Sequence, residues 1–212
     1  MEQSQLTAWK ATANHIIKHL ARRNMTGHFC ETAADAVRVA QDLIEPGASV
    51  TWGGSVTLEQ TGIKDMLRAG DYHLVDRSSA RTDDQRRTLW EASATADWHL
   101  MSTNAITLDG QLVNIDGRGD RLSLLIHGPQ HVLVVAGMNK VVHDIDAALK
   151  RIRIDACPPN ATRLHTNTPC ELTGTCAECH SERCMCCQTV ITRHSRPEGR
   201  IHVILVGESL GY

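Results

Sequence analysis

Aromatic residues are scarce in this sequence, since Phe, Trp and Tyr together make up only 3% of the 212 residues. Proteins that bind single-stranded nucleic acid stack the bases on aromatic side chains. The formal net charge of −2 also provides no basic surface for a phosphate backbone, and no attraction to an anionic membrane surface. The composition therefore argues against binding to nucleic acid or to a membrane.

The sequence also lacks long apolar runs. Its longest, VLVVAG, has the length of a strand, whereas a membrane-spanning helix needs about 18 or more apolar residues. The N-terminal residues show neither the basic start nor the continuous apolar stretch of a signal peptide. We therefore expect a cytoplasmic protein, and cysteines in the cytoplasm remain largely reduced. A G-x-G-x-x-G fingerprint for a flavin or nicotinamide cofactor is absent as well.

Short strand and helix patterns alternate along most of the chain. Helical periodicity predicts two helices within residues 1–47, the first of them stopped at Gly27. HVLVVAG is continuous and β-branched, as is typical of a buried parallel strand, and Asp109-Gly110 between two alternating runs predicts a hairpin. This order predicts an α/β fold in which a mostly parallel sheet is flanked by helices.

The same patterns predict three parts of one chain. Residues 1–47 are expected to form a helical segment that packs on the core. Residues 48–155 together with residues 200–212 are expected to form the α/β core. Residues 156–199 are expected to form a cysteine-rich insertion before the last strand. Because a structureless loop of about forty residues is improbable inside a compact domain, we expect a bound metal to hold this insertion.

The insertion contains PCELTGTCAECHSERCMCCQTV, in which six of the chain's eight cysteines fall within eighteen positions. Clustered cytoplasmic thiols indicate metal binding or redox chemistry before disulfides. The spacing C-x2-C-x4-C-x2-C would suit a zinc site, and C-x5-C-x2-C-x6-C suits an iron–sulfur cluster at least as well. The first set is Cys176, Cys179, Cys184 and Cys187; the second is Cys170, Cys176, Cys179 and Cys186. Spacing alone leaves both sets open, and His180 is the one histidine within the cluster.

Small and polar residues follow three of the predicted strands. Ligands in parallel α/β sheets gather at the carboxyl ends of the strands, and glycines before a helix allow close approach to an anion. These positions predict a pocket for an anionic small molecule, with ordinary turn chemistry and helix capping as the alternative. The predicted lining is Gly53, Gly54, Ser55, Thr57, Ser102, Thr103, Asn104, Asn139 and Lys140. Thr57 is also predicted to cap a helix with Gln60, and Lys140 to open a helix after a buried strand.

Several segments resemble the LUD-domain family. They are WGGSVTLEQTGI, MSTNAITLDGQLVNIDGRGDR, HGPQHVLVVAGMNKVV, PPNATRLHTNTPCELTGTCAEC and ILVGESLGY, which together run from Trp52 to Tyr212. The resemblance implies an α/β core like that of ribose-5-phosphate isomerase, glucosamine-6-phosphate deaminase and the CoA transferases. It also implies a bacterial or archaeal cytosolic setting, and some members are encoded with iron–sulfur proteins that together oxidise L-lactate to pyruvate. The Glu-Asn-Gly motif of CoA transferases is missing, so covalent thioester catalysis is not implied.

The resemblance favours one of the two cysteine sets. Cysteine-rich family members show a C-x5-C-x2-C-x6-C pattern, which implies Cys170, Cys176, Cys179 and Cys186 as the metal ligands. The implied group is an iron–sulfur cluster of the 4Fe–4S type, with zinc as the alternative. Cys184 and Cys187 are additional to this pattern.

Two functions are expected. The first is a metal- or iron–sulfur-bearing component of lactate (2-hydroxy acid) utilisation, which works with iron–sulfur oxidoreductase subunits because the chain has no cofactor fingerprint of its own. The alternative is a stand-alone enzyme or ligand-binding module that acts on a phosphorylated or CoA-linked metabolite at the strand-end pocket. The sequence leaves the substrate, the metal and the oligomeric state open, a homo-oligomer included.

Overall fold

The computed structural model describes residues 2–212. Ten strands form two sheets. In chain order they are β1 (Met25–Cys30), β2 (Ser49–Trp52), β3 (His73–Val75), β4 (Trp98–Met101), β5 (Ala105–Thr107), β6 (Leu112–Asp116), β7 (His131–Gly137), β8 (Val141–Val142), β9 (Gln188–Thr192) and β10 (Ile201–Val206). The larger sheet has the order β1-β10-β7-β4-β2-β3, and all five of its strand pairs are parallel.

Nine α-helices are present in the described part of the chain. They are α1 (Gln3–Ala21), α2 (Ala33–Leu43), α3 (Val56–Thr61), α4 (Ile63–Ala69), α5 (Asp83–Ala94), α6 (Asp120–Ile126), α7 (Ile145–Arg151), α8 (Cys157–Leu164) and α9 (Pro169–Thr173). Between α7 and α8 the backbone forms one π-helical stretch at Ile152–Ala156. In residues 2–212 no helix combines the length and the apolarity needed to cross a bilayer.

Both faces of the larger sheet are buried. Along β7 the side chains alternate, so that Leu133 and Val135 pack into one apolar cluster and Val132 and Val134 into another. Residues of α2, α3 and α4 cover the first face, and residues of α1 and α6 cover the second. Helices on both sides explain why β7 is apolar at nearly every position. The predicted α/β architecture with a mostly parallel sheet is therefore confirmed.

The first 47 residues contribute a strand as well as helices. The prediction that Gly27 stops the first helix is wrong, because Gly27 lies inside β1, which pairs in parallel with β10 at the edge of the sheet. A side chain at this position would have its Cβ only 2.8 Å from Cγ1 of Ile17 on α1. Gly27 therefore allows α1 to pack closely against the strand that follows it.

The smaller sheet has the order β8-β5-β6-β9. Its β5–β6 hairpin turns at Asp109-Gly110, as predicted, and Gly110 has a φ of +83°. Strand β9 comes from the cysteine-rich segment and pairs antiparallel with β6. The N-terminal part of this segment forms α8 and α9, each with a proline in its first turn. Residues 156–199 are thus held partly by regular structure.

The helix predicted after β2 is divided and is capped by a different residue. It breaks at Gly62, whose φ of +79° ends α3 and precedes α4. The predicted Thr57 cap is wrong: Ser55 is the N-cap, and its side chain accepts a hydrogen bond from the backbone N–H of Leu58. Thr57 lies inside α3 and is therefore free to make contacts elsewhere.

Candidate functional site

A cleft of about 1170 Å³ opens at the carboxyl ends of neighbouring strands of the larger sheet. The loops after β2, β3 and β4 and the turn after β7 all reach it, because these four strands are adjacent in the sheet. The predicted residues that line the cleft are Gly53, Gly54, Ser55, Thr57, Ser102, Thr103, Asn104 and Lys140. Asn139 is the one predicted pocket residue that does not line it.

Lys140 lies at the floor of the cleft and is only 4% exposed. Its Nζ donates hydrogen bonds to Oγ1 of Thr57 at 2.9 Å and to Oγ of Ser102 at 3.0 Å. Burial, followed by the positive charges of Arg151 and Arg121, lowers the pKa of the Lys140 amine to about 7. Within residues 2–212 no carboxylate pairs with this amine.

The position of Lys140 differs from the one predicted. Lys140 ends a 3₁₀ turn, Met138–Lys140, and is followed by β8. The next helix, α7, begins only at Ile145. The prediction that Lys140 opens a helix, where a cation is disfavoured by the helix dipole, is therefore wrong. The feature that distinguishes Lys140 is its burial among hydroxyl groups.

Arg121 of α6 runs beneath the loop after β2 and fixes the geometry of that side of the cleft. Its guanidinium donates to the carbonyl oxygens of Ser102 at 2.8 Å and of Ile115 at 2.6 Å. It also donates to the side-chain oxygens of Asn104 and Asn114, both at 3.2 Å. One partly buried arginine thus connects the end of β4 with β6.

This arginine explains two residues that the sequence assigned to ligand binding. A Cβ at Gly53 would lie 3.0 Å from Cδ of Arg121 and 3.1 Å from its Cγ, so a glycine is needed where the loop crosses the arginine stem. Oδ1 of Asn104 accepts from the backbone N–H of Ile115 at 3.0 Å as well as from Arg121. Gly53 and Asn104 line the cleft, and both are also used to hold Arg121 in place.

Basic side chains outnumber acidic ones around the cleft, eight to five, although the whole chain carries a formal charge of −2. The basic residues are Lys64, Arg77, Arg86, Arg87, Arg118, Arg121, Lys140 and Arg163, and the acidic residues are Glu59, Asp76, Asp83, Asp116 and Asp120. Five of the basic groups form ion pairs with carboxylates. The other three do not, within the described residues, and two of these are arginines, which stay charged at neutral pH.

Those three cations have polar but uncharged partners. Arg77 donates to the carbonyl oxygen of Asp120 at 3.2 Å, while its Nε is buried and has no hydrogen-bond acceptor in the described chain. Arg163 donates to Oδ1 of Asn160 at 2.7 Å. Lys140 is the third. Arg77, Arg121 and Arg163 were not predicted from the sequence, because nothing in their local sequence distinguishes an arginine that lines a cleft from one elsewhere on the surface.

Asn139 connects the C-terminal segment to the sheet instead of facing the cleft. Its Oδ1 accepts from the backbone N–H of Leu210 at 3.0 Å, and Thr57 donates to the carbonyl oxygen of Leu210 at 3.3 Å. Gly211 then passes beside the floor of the cleft, where a Cβ would lie 3.3 Å from Nζ of Lys140. The final segment therefore forms one wall next to the buried amine.

The cysteine segment brings together a set of thiols that differs from either predicted set. Sγ of Cys186 lies 3.4 Å from Sγ of Cys157, and the backbone N–H of Cys186 donates to Sγ of Cys184 at 3.5 Å. The thiol of Cys184 in turn interacts with that of Cys179. Contact with Cys157, together with burial, raises the pKa of the Cys186 thiol. Sequence analysis missed Cys157 because it precedes the cluster by thirteen residues.

The set implied by the family resemblance is only partly assembled. Cys170 is buried, and its Sγ lies 3.2 Å from Oγ1 of Thr168 rather than beside another thiol. Cys176 makes no thiol contact in the described residues, and His180 is exposed. In residues 2–212 no group of three or more His, Cys, Asp or Glu side chains is already arranged to hold a metal ion.

Comparison with known proteins decides the family. The profile of the LUD domain matches residues 13–206. The chain belongs to the LUD-domain family. The match includes the C-terminal half of α1 and all of β1, so it extends well before Trp52, where the resemblance seen in the sequence began. No curated protein sequence matches this LUD-domain chain.

Solved structures support the fold. A DUF162 family protein from Deinococcus radiodurans is 10% identical to this LUD-domain chain, with a TM-score of 0.53 over 93% of this chain and 98% of that one. At this identity the similarity concerns the fold alone. Another structure, eIF2B delta from Chaetomium thermophilum, is 18% identical over 55% of this chain and 51% of that one, and its TM-score of 0.34 supports no further argument.

Proposed function

We propose that this LUD-domain protein binds an anionic small molecule in the strand-end cleft. The observation that carries the proposal is the excess of cations there, in a chain whose net charge is negative. Arg77, Lys140 and Arg163 line the cleft without a carboxylate partner. Arg77 is partly buried, and its Nε has no hydrogen-bond acceptor in the described chain. Because a buried polar group without a partner is costly, a phosphate or carboxylate group supplies the missing partner.

The size of the cleft favours a ligand larger than lactate. Pockets that enclose drug-sized molecules typically measure about 300–1,000 Å³, and this cleft measures about 1170 Å³. A three-carbon acid would fill a small part of that volume. We therefore favour a stand-alone enzyme or ligand-binding module acting on a phosphorylated or CoA-linked metabolite over direct binding of lactate in the cleft.

Calorimetric titration tests this proposal with four probes: inorganic phosphate, coenzyme A, glucose 6-phosphate and L-lactate. We expect one of the larger anions to bind, and Arg77→Met to weaken its affinity about ten- to a hundredfold, because a charge-assisted hydrogen bond contributes about 1.5–3 kcal/mol. Arg38→Met is the control, since Arg38 is exposed and pairs with Asp35 on α2, outside the cleft. Equal affinities for the parent and Arg77→Met would contradict the proposal.

We also propose that the cysteine segment binds a metal. The series of neighbouring thiols formed by Cys157, Cys186, Cys184 and Cys179 supports this. Four thiolates suit either zinc or an iron–sulfur cluster. The 3.4 Å between the sulfurs of Cys157 and Cys186 is close to the roughly 3.8 Å between ligands of a tetrahedral site with Zn–S bonds of about 2.3 Å.

An iron–sulfur cluster at these thiols would supply one-electron transfer. That chemistry would fit a component of lactate (2-hydroxy acid) utilisation that works beside iron–sulfur oxidoreductase subunits, and it would need the reduced thiols of a cytoplasmic protein. The contact set shares Cys179 and Cys186 with the set implied by the family resemblance. The contact set also contains Cys157 and Cys184, whereas the family-implied set contains Cys170 and Cys176 in their place.

Metal content after purification without oxygen tests both sets. We expect Cys157→Ser to lose the metal and both Cys170→Ser and Cys187→Ser to retain it. Loss of the metal from Cys187→Ser would instead favour the set Cys176, Cys179, Cys184 and Cys187. The opposite pattern for Cys157 and Cys170 would favour the family-implied ligands. A parent protein that contains no stoichiometric iron or zinc would refute metal binding by this segment. The visible spectrum distinguishes a coloured iron–sulfur cluster from zinc.

A further inference from the structure

The amine of Lys140 has an unusual set of neighbours. The two hydrogen-bond partners of Nζ, Oγ1 of Thr57 at 2.9 Å and Oγ of Ser102 at 3.0 Å, are both neutral hydroxyl groups. Thr57 is 1% exposed and Ser102 is 7% exposed, so water has little access from their side. Lys140 nevertheless lines the cleft. The amine is therefore held by hydroxyls on one side and presented to the ligand space on the other.

The number of acceptors matches a neutral amine. A lysine ammonium has three N–H donors, but only two acceptors contact Nζ in the described chain. A neutral amine has two N–H donors and one lone pair, so the two hydroxyl oxygens satisfy both donors and the lone pair remains available for reaction. The guanidinium groups of Arg121 and Arg151 act in the same direction, since they disfavour a third positive charge beside them.

We infer that Lys140 is a nucleophile that condenses with the carbonyl group of an anionic aldehyde or ketone bound in the cleft. This inference rests on the proposed function, and it narrows the ligand class to phosphorylated or carboxylated carbonyl compounds. The lone pair of Nζ forms a bond to the carbonyl carbon, and the π electrons move to the oxygen. A proton passes from nitrogen to that oxygen to give a carbinolamine. Loss of water then leaves an imine.

The residues around Lys140 supply groups for proton transfer and for binding the anionic part of the substrate. The hydroxyls of Thr57 and Ser102 are within hydrogen-bond distance of Nζ and can relay the proton that moves from nitrogen to oxygen. Arg77 lines the same cleft and retains a buried Nε without an acceptor, which can bind the anionic part of the substrate. With a pKa of about 7, a large fraction of Lys140 is the reactive neutral amine at neutral pH.

A second lysine in the cleft gives a built-in control. Lys64 lines the same cleft, but its Nζ lies 2.5 Å from a carboxylate oxygen of Glu59 and 5.3 Å from the ring centroid of Trp52. Lys140, in contrast, has two neutral hydroxyl groups as its hydrogen-bond partners. The two cleft lysines therefore differ in their partners while they share access to the same ligand.

Reductive trapping with pyridoxal 5′-phosphate, a phosphorylated aldehyde, tests the inference. The protein is incubated with the probe, reduced with borohydride and mapped by peptide mass spectrometry. The chain has five lysines, Lys10, Lys18, Lys64, Lys140 and Lys150. We expect Lys140 to be labelled at least about tenfold faster than the others at pH 7.5, because ordinary lysines near pKa 10.4 are almost fully charged there. We expect the labelling rate at Lys140 to rise with a midpoint near pH 7.

Two variants and one analogue complete the experiment. Lys140→Met should abolish the rapid labelling, and Lys150→Met, a change at an exposed lysine of α7 outside the cleft, should leave it unchanged; both are checked by thermal melting. If Lys140→Met does not fold, the peptide map and pH profile of the parent protein decide alone. If the exposed lysines are labelled fastest, with Lys10 ahead of Lys140, the inference is overturned.

The analogue separates this inference from the proposed function. Pyridoxine 5′-phosphate carries the phosphate but an alcohol in place of the aldehyde, so it measures anion binding without imine formation. If this analogue binds in an Arg77-dependent manner and Lys140 is not trapped by the aldehyde, the imine is refuted while the anion site stands. If neither compound binds, both the anion site and the imine are refuted for phosphorylated ligands of this size.

Discussion

Replacing Arg121 with methionine should destabilise the fold more than any other single charge removal around the cleft. Methionine keeps most of the aliphatic stem that packs beneath Gly53, but it removes the guanidinium that bonds to four oxygen atoms. Two of these acceptors are the carbonyl oxygens of Ser102 and Ile115, which connect the end of β4 to β6. The carboxylate of Asp116, 3.7 Å from Nε of Arg121 and 15% exposed, would also lose its nearest cation.

The expected loss can be estimated from these contacts. Removing one partner of a buried charged network costs about 3–5 kcal/mol, because the remaining polar groups stay buried without partners. The contacts of one guanidinium are not additive, so the sum of four separate charged hydrogen bonds would overestimate the loss. For a protein of 150–250 residues, 1 kcal/mol changes the melting temperature by about 2–4 °C. The variant should therefore melt about 6–20 °C below the parent.

Urea denaturation followed by circular dichroism, together with thermal melting, measures this effect. Arg118→Met is the matched control, since Arg118 also lines the cleft but its side chain is 78% exposed and lies 3.6 Å from Asp120. An exposed ion pair of this kind contributes less than about 1 kcal/mol. If Arg121→Met unfolds within 1 kcal/mol of the parent, the view that this arginine holds the cleft together is refuted.

Three further predictions test other parts of the fold. Burial, followed by the nearby charges of three arginines, lowers the pKa of His99 to about 3. Below pH 6.5 this histidine binds a proton in the unfolded chain but stays neutral in the folded protein. The free energy of unfolding should therefore decrease as the pH is lowered, by about 2 kcal/mol at pH 5. Urea titrations of His99→Leu should not show this part of the decrease. Gly137→Ala should lower the free energy of unfolding by about 1–3 kcal/mol, because its Cβ would lie 2.6 Å from two backbone atoms. Gly54→Ala is the control: a Cβ there would have no atom within 4 Å, so this variant should melt like the parent. In metal-free protein at pH 8, iodoacetamide should alkylate exposed Cys187 well before Cys186, whose thiol pKa is raised by Cys157 and by burial; equal rates would contradict the thiol contact.

The location of the cleft could be predicted from sequence because it depends on topology. The sequence predicts that residues after three strands far apart in the chain share one pocket, since the carboxyl ends of parallel strands lie along one edge. The structure brings Ser55, Thr103 and Lys140 to that edge. The directions of individual side chains could not be predicted in the same way. Arg121 turns inward because backbone carbonyls of distant segments accept its protons, and those partners are absent from its local sequence.

The elements missed in the sequence share a similar cause. In β1 only the two end residues, Met25 and Cys30, are buried, so the strand shows no clear alternation and its pairing is set by β10, about 175 residues later. Strand β9 lies against β6 with no more than partial burial at any position. Both strands form because an existing sheet offers them hydrogen-bond partners, and local apolar patterning is a weak guide to such edges.

The cleft and the thiol set share one helix, α8. Metal binding and anion binding should therefore affect each other. Cys157, at the start of α8, lines the cleft while its sulfur contacts Cys186. One turn later Asn160 lines the cleft and accepts a hydrogen bond from Arg163, which also faces the ligand space. A metal bound at Cys157 would therefore fix the helix that carries a cation of the anion site. Any effect of metal on anion affinity must then be matched by an equal effect of the anion on metal affinity, so Cys157→Ser should be measured for both.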